Sequence, residues 1–241
     1  NLLDEMRSHG LVPDQITYNS VINACAKGGE CLRALDLLDE MRSRGLVPDA
    51  ITYSSVIHAC AKGNEWQRAL DLFDKIRNFN LTPNLVTYDA ALNACAIGRQ
   101  PERALSLFDL LQQEGLTAEL SHWCHLLDAL GPNHAQSCSL LLRMVEQPFF
   151  AGAESFEAGM PKFDLHGLSA GAAEMVVRWW LSERLPKRLE ARKMSEPTQV
   201  VLVTGHGESR VLRNGSVVKQ RVLELANELG TVVEQSNRGR L

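Results

Sequence analysis

The sequence predicts two architectures in series: an α-solenoid of helix-turn-helix repeats, followed by a small two-layer α/β domain. Three observations carry this. A unit of 35 residues recurs without a gap from Leu11, Leu46 and Leu81, and a fixed period of that size marks stacked supersecondary units. Inside each unit apolar residues fall at helical spacing twice, separated by Lys-Gly or Ile-Gly. After Glu146 that rhythm stops, and strand-type runs alternate with helix-type runs as in an α/β layer.

In chain order, "NLLDEMRSHG" at 1–10 matches "DLLDEMRSRG" at 36–45, so the chain opens inside a second helix. It opens without Met and in mid-pattern, which reads as a fragment or a processed chain. The three full units are "LVPDQITYNSVINACAKG", "LVPDAITYSSVIHACAKG" and "LTPNLVTYDAALNACAIG", each followed by a second helix. Pro13, Pro48 and Pro83 hold one phase, Tyr18, Tyr53 and Tyr88 another, and "RAL" recurs at Arg33, Arg68 and Arg103. A degenerate fourth unit places helices at 121–130 and 137–145, with Ala118 where the loop proline stood. Erosion suits an end unit, whose neighbours differ. The array is expected over 1–147 and a linker over 148–160, on the Gly, Ala and Pro content of "QPFFAGAESFEAGMP". The α/β domain is expected over 161–241: a strand at 163–165, a helix over 170–184 and a basic loop "RLPKRLEARKMSEPT". A strand "QVVLVTG", a helix over 217–229 and a strand "TVVEQ" complete it.

Bulk properties narrow the function. With 25 basic against 29 acidic residues the chain carries a net charge of -4, which excludes nucleic-acid binding driven by overall charge but leaves room for a local basic patch. No apolar run reaches membrane-spanning length, so no membrane insertion is expected. Of six cysteines none forms a CxxC pair, and Cys25, Cys60 and Cys95 are equivalent repeat positions. They read first as small buried apolar residues in a reducing compartment, with disulfides or structural zinc as minority readings. Trp66 and the alanines at 24, 59 and 94 read as packing between helices. His122, His125, His134 and Cys138 fit no zinc-finger spacing and read as solvated or capping groups, so no metal site is predicted.

The 35-residue period, the "TYNSVINAC" first helix and the "ALDLLDEMRSRGLVPD" second helix resemble the pentatricopeptide repeat. The tetratricopeptide alternative has a period of 34 and a W-x2-L-G-x2-Y signature that this chain lacks. The resemblance implies a superhelix that reads single-stranded RNA, one base per repeat, through the fifth residue, the last residue and a second residue that packs on the base. Carried over, the first unit offers Asn19 and Asp49 with Ile16, a combination implying uracil. The second offers Ser54 and Asn84 with Ile51, implying adenine. The third has Asp89 and Glu119 with Val86, which matches no standard base, and the fourth has Cys124 at the reading position.

"FDLHGLS" at 163–169, "VTGHGESRV" at 203–211 and the terminal "NRGRL" resemble the Smr domain, the small MutS-related module, in the form fused to pentatricopeptide arrays. That resemblance implies a site of Asp164, His166 and His206, with Gly205 and Gly207 allowing close backbone approach to a phosphate. Arg210, Arg213 and Lys219 are implied cationic contacts. Two outcomes stay open: an endoribonuclease, a divalent metal ion then being the cofactor to expect, or a site that only binds, with Asp164 and His166 fixing the loop. The two resemblances together imply an RNA-binding protein of the mitochondrion or chloroplast. The alternatives are a scaffold for protein subunits of a large assembly and, third, a cap that nicks DNA.

Overall fold

In the computed structural model the described residues are 2–79, 81–157, 160–191 and 201–203. They fall into two compact units, 1–130 and 131–241.

The first unit is helical throughout: α1 (Leu2–Ser8), α2 (Gln15–Gly28), α3 (Cys31–Ser43), α4 (Ala50–Lys62), α5 (Trp66–Asn78), α6 (Leu85–Gly98), α7 (Pro101–Gln113) and α8 (Leu120–Leu130). Each loop proline precedes an N-cap whose side chain accepts a backbone N–H of the first turn: Asp14 from Thr17, Asp49 from Thr52, Asn84 from Thr87. The first helices α2, α4, α6 and α8 pack side by side in order, and each second helix packs on its own partner and on the next first helix. The phased tyrosines explain why the period holds. Tyr18, Tyr53 and Tyr88 are almost fully buried, and Trp123 takes the same place in α8. Each ring buries a large apolar area while its hydroxyl stays paired: Tyr18 donates to Glu40 at 3.1 Å, Arg42 donates to Tyr53, and Tyr88 donates to Glu114 at 2.7 Å.

Glycines set how closely successive repeats approach. A Cβ on Gly63 would lie 2.5 Å from the carbonyl oxygen of Gly29, and one on Gly98 would lie 2.5 Å from the ring of Trp66. Trp66 therefore packs against the end of the next first helix, as its sequence reading expected. Cys31 occupies the equivalent position one repeat earlier and so meets the end of α4. There it is joined in a disulfide to Cys60, their Cα atoms 4.3 Å apart. For this pair the disulfide, held second in the sequence reading, replaces the reading as small apolar residues; Cys25, Cys95 and Cys124 are buried and Cys138 exposed, none of the four in a disulfide. The pairing joins two different repeat positions, which internal alignment of the repeats does not bring together.

The second unit holds α9 (Ser137–Val145), a 3-10 turn (Pro148–Phe150), β1 (Glu154–Glu157), β2 (Met160–Asp164), α10 (Ala170–Trp179), a π-helical turn (Trp180–Arg184), α11 (Leu185–Ala191) and β3 (Val201–Val203). The strands form one sheet in the order β1-β2-β3. β1 runs antiparallel to β2, with Glu154 opposite Phe163; β3 runs parallel to β2, with Asp164 opposite Val203. Phe163 and Leu202 are buried with Trp180, Val176 and Ala173 of the crossover helices, and the rings of Phe163 and Trp180 lie 5.2 Å apart.

Two expectations need correction. The segment 148–160 is no open linker, because β1 lies within it and pairs with β2. Four residues are too short for periodicity to register, and their pairing is settled by the partner strand. The basic loop is helical over Leu185–Ala191, burying Leu185 and Leu189 four residues apart. Pro186 lacks an N–H for the helical ladder, and the wider π-turn just before it carries the chain past. Residues 192–200, the expected helix over 217–229 and the last strand lie outside the described residues.

Candidate nucleic-acid interface

One face of the array is marked by the first turns of its first helices. Ile16, Ile51 and Val86 stand there 74%, 60% and 63% exposed, one aliphatic side chain per repeat left in solvent at the same phase. Isolated exposed aliphatics are ordinary on a protein surface, but a row repeated at the period of the fold is a built feature.

The polar residues beside this row are tied together across repeats. In the first site the Asp49 carboxylate accepts the Thr52 N–H at 2.8 Å and the Gln15 amide at 2.8 Å. The Thr52 hydroxyl lies 2.6 Å from Asn19 Oδ1 and 2.8 Å from Asp49 Oδ1, and it accepts the Asp49 N–H at 3.2 Å. Burial pushes the Asp49 carboxyl up, but the bonds from Thr52 and Gln15 outweigh it and hold the group below its ordinary value. Asn19 and Asp49, thirty residues apart in the chain, thus share one threonine.

The second site repeats the arrangement with one difference. Asn84 is exposed and accepts the Thr87 N–H at 3.0 Å, while the Thr87 hydroxyl lies 2.7 Å from the Ser54 hydroxyl. Ser54 is only 3% exposed and donates to the Ala50 carbonyl at 2.6 Å. The outward polar group of the second pair is therefore Asn84, with Ser54 behind it.

The third site is built otherwise. His122 stands where the threonines stood and is buried. Its Nε2 donates to the Leu85 carbonyl at 3.0 Å and its Nδ1 accepts the Glu119 N–H at 3.2 Å, so both nitrogens are engaged. Asp89 instead lies 3.7 Å from Nε2 of His125. Burial raises the Asp89 carboxyl, but the neighbouring His125 and Ser121 prevail and hold it low. Burial, with Lys62 nearby, lowers the pKa of His58. Glu119 is exposed and Cys124 is buried.

In the second unit Asp164 ends β2, and Leu165 carries the parallel ladder one step further by donating to the Val203 carbonyl at 2.8 Å. Asp164 Oδ1 accepts the His166 N–H at 2.9 Å and contacts His166 Nδ1, with both side chains exposed. Gly167 follows at a φ of 77°, a value suited to glycine. His206, Gly205, Gly207, Arg210, Arg213 and Lys219 lie outside the described residues. A cleft of about 320 Å³ in this unit is lined by Phe150, Phe163, Trp179 and the partly buried Glu154, which holds Arg184 and Arg188. The sequence reading missed Thr52 and Thr87, although their recurrence at the repeat period in "TY" was a visible signal. It had no signal for Glu154.

Comparison with known proteins follows the same division. Sequence profiles of the PPR repeat family match 13–62, of the PPR repeat 51–81, and of the pentatricopeptide repeat domain 71–133. Together these run from 13 to 133, half of the chain. No curated protein matches the sequence. Among solved structures, the pentatricopeptide repeat protein PPR10 in complex with an 18-nt psaJ RNA element is similar, with a TM-score of 0.55, 20% identity, and 79% of this chain and 26% of that chain covered. The pentatricopeptide repeat protein PPR10 from maize gives 0.51 at 19% identity, over 97% of this chain and 32% of that chain. The PPR domain of protein-only RNase P 1 of Arabidopsis thaliana, in complex with tRNA, gives 0.53 at 14% identity, over 90% of this chain and all of that one. These likenesses show a shared fold. The chain spans about a quarter of the PPR10 chain in its RNA complex.

Proposed function

Since residues 13–133 make this chain a member of the pentatricopeptide repeat family, we propose that it binds single-stranded RNA along the first-helix face of its array. The observation that carries this is the exposed row of Ile16, Ile51 and Val86 beside polar groups held in place across repeats. An aliphatic side chain offers a packing surface to a base, and a fixed amide or carboxylate offers directional hydrogen bonds to its edge. Asn19 with Asp49 reads one base, and Asn84 backed by Ser54 reads the next. The RNA complexes of two structures with the same fold support this reading.

The second unit acts, on this reading, as a Smr module that clamps or cuts RNA. Supporting it are the Asp164-x-His166 step at the end of a strand and the parallel partner strand ending at Val203, one residue before "TGHG" in the sequence. A protein-binding array is the second reading, favoured by the carboxylates of Asp89 and Glu119 at the third site.

The test is a gel shift and cleavage assay on labelled single-stranded RNA at physiological salt. It compares the parent with Ile16→Glu/Ile51→Glu, a change at exposed positions that leaves the core alone, and with Asp164→Ala/His166→Ala. The glutamates should weaken binding at least tenfold by setting like charge beside phosphate. Cuts by the parent that vanish in the alanine variant assign a nuclease; equal binding without cuts assigns a clamp. Absence of binding by the parent would discard RNA in favour of a protein partner.

A further inference from the structure

Resting on that RNA reading, we infer that Thr52 and Thr87 are positioning residues for base recognition, Thr52 through its hydroxyl and Thr87 through its backbone N–H: each sets which end of the preceding repeat's polar side chains is shown to RNA. A reading site is then a triad spanning two repeats, with the third residue of the following repeat as its hinge.

Proton counting carries the argument. A threonine hydroxyl has one proton to give. At Thr52 the hydroxyl accepts the Asp49 N–H, and the Asp49 carboxylate already accepts the Thr52 N–H and the Gln15 amide. The shortest contact of that hydroxyl is to Asn19 Oδ1, at 2.6 Å against 2.8 Å to Asp49. Its proton therefore goes to Asn19, whose oxygen is turned inward and whose NH₂ is left for the groove. In the second site the assignment is fixed by a backbone donor: the Thr87 N–H reaches Asn84 Oδ1, so Asn84 also turns its NH₂ outward. The Ser54 proton goes to the Ala50 carbonyl, so Ser54 accepts from Thr87. Both sites show RNA a donor, complementary to the carbonyl oxygens of a pyrimidine or the ring nitrogens of a purine. Thr52 and Thr87 are themselves 0% exposed, so neither can touch the base it helps select. Where His122 replaces the threonine, both its nitrogens are engaged elsewhere, and Asp89 turns to His125 instead.

The experiment selects RNA from a randomised single-stranded library with the full chain and reads base preference position by position. The parent is set against Thr52→Val, Thr52→Ser, Thr87→Val and Thr87→Ser, with a thermal melt of each. Valine keeps the branched shape and removes the hydroxyl: at position 52 this frees the Asn19 amide to flip, whereas at position 87 the backbone N–H still holds Asn84 Oδ1. Thr52→Val should lower the base preference at one position about tenfold and leave its neighbour intact, Thr52→Ser should restore it, and neither Thr87 variant should move either preference, because the backbone N–H that holds Asn84 is kept. A purely structural role would lower stability and total binding without acting on one base alone. If Thr52→Val keeps both preferences or loses both together, or if Thr87→Val loses either, the inference is overturned. If either valine variant fails to fold, Thr52→Ala or Thr87→Ala takes its place with the same criteria. A parent that selects no base at any position overturns the RNA reading itself, and this inference with it.

Discussion

A single residue class shows how repetition and exception coexist in this array. After each first helix the chain needs a left-handed turn, and the equivalent positions are Gly29, Asn64 and Arg99, with φ of 71°, 65° and 49°. Glycine adopts that conformation without steric cost and asparagine tolerates it, whereas a Cβ and long side chain make it unfavourable by about 1–2 kcal/mol. Arg99 is exposed, so nothing in the core depends on it. Arg99→Gly should therefore stabilise the protein by about 0.5–1 kcal/mol in chemical denaturation, the strain relief being partly offset by the entropy of glycine in the unfolded chain. An unchanged or lowered midpoint would mean that the turn carries no strain. The periodicity of the sequence made these three positions equivalent; their backbone angles were not written in it.

At the scale of elements, the same contrast governs how one repeat meets the next. Gly28, Gly63 and Gly98 are equivalent, yet each faces something different. A Cβ on Gly28 meets only the side chain of Glu30, at 3.5 Å; on Gly63 it meets the backbone carbonyl of Gly29; on Gly98 it meets the half-exposed ring of Trp66. Gly28→Ala should stabilise α2 by up to about 1 kcal/mol, because alanine is the better helix former. Gly63→Ala should destabilise by about 1–3 kcal/mol, since backbone cannot move aside as a side chain can. Gly98→Ala should fall between them as Trp66 swings. Thermal or urea unfolding of the three variants gives the order, and equal effects at all three would show that close approach does not limit the stacking. The helices themselves were legible from the apolar spacing and the Lys-Gly or Ile-Gly breaks between them, because those signals are local. β1 and α11 were not, because each is settled by what it packs on.

For the whole molecule, stacked repeats gain stability from neighbour contacts, so one covalent link between neighbours matters to the array. The Cys31–Cys60 disulfide closes a span of 29 residues across the first and second full repeats. Cys31→Ser should lower the stability of oxidised protein by about 3 kcal/mol and change little in reductant, as urea unfolding under both conditions would show. Equal curves for parent and variant without reductant would mean that the link adds nothing. By itself the sequence determined the repeat length, the helix pairs, the phase of the exposed first-turn positions and the point where the array rhythm ends, since all of these are short-range or strictly periodic. Only the tertiary structure decided that Asn19 and Asp49 meet at Thr52, that Ser54 is buried behind Asn84, that Cys31 finds Cys60, and that 154–157 is a strand. Each of these joins residues far apart in the chain, and such contacts are chosen by how the units stack, not by the spacing of residues along any one of them.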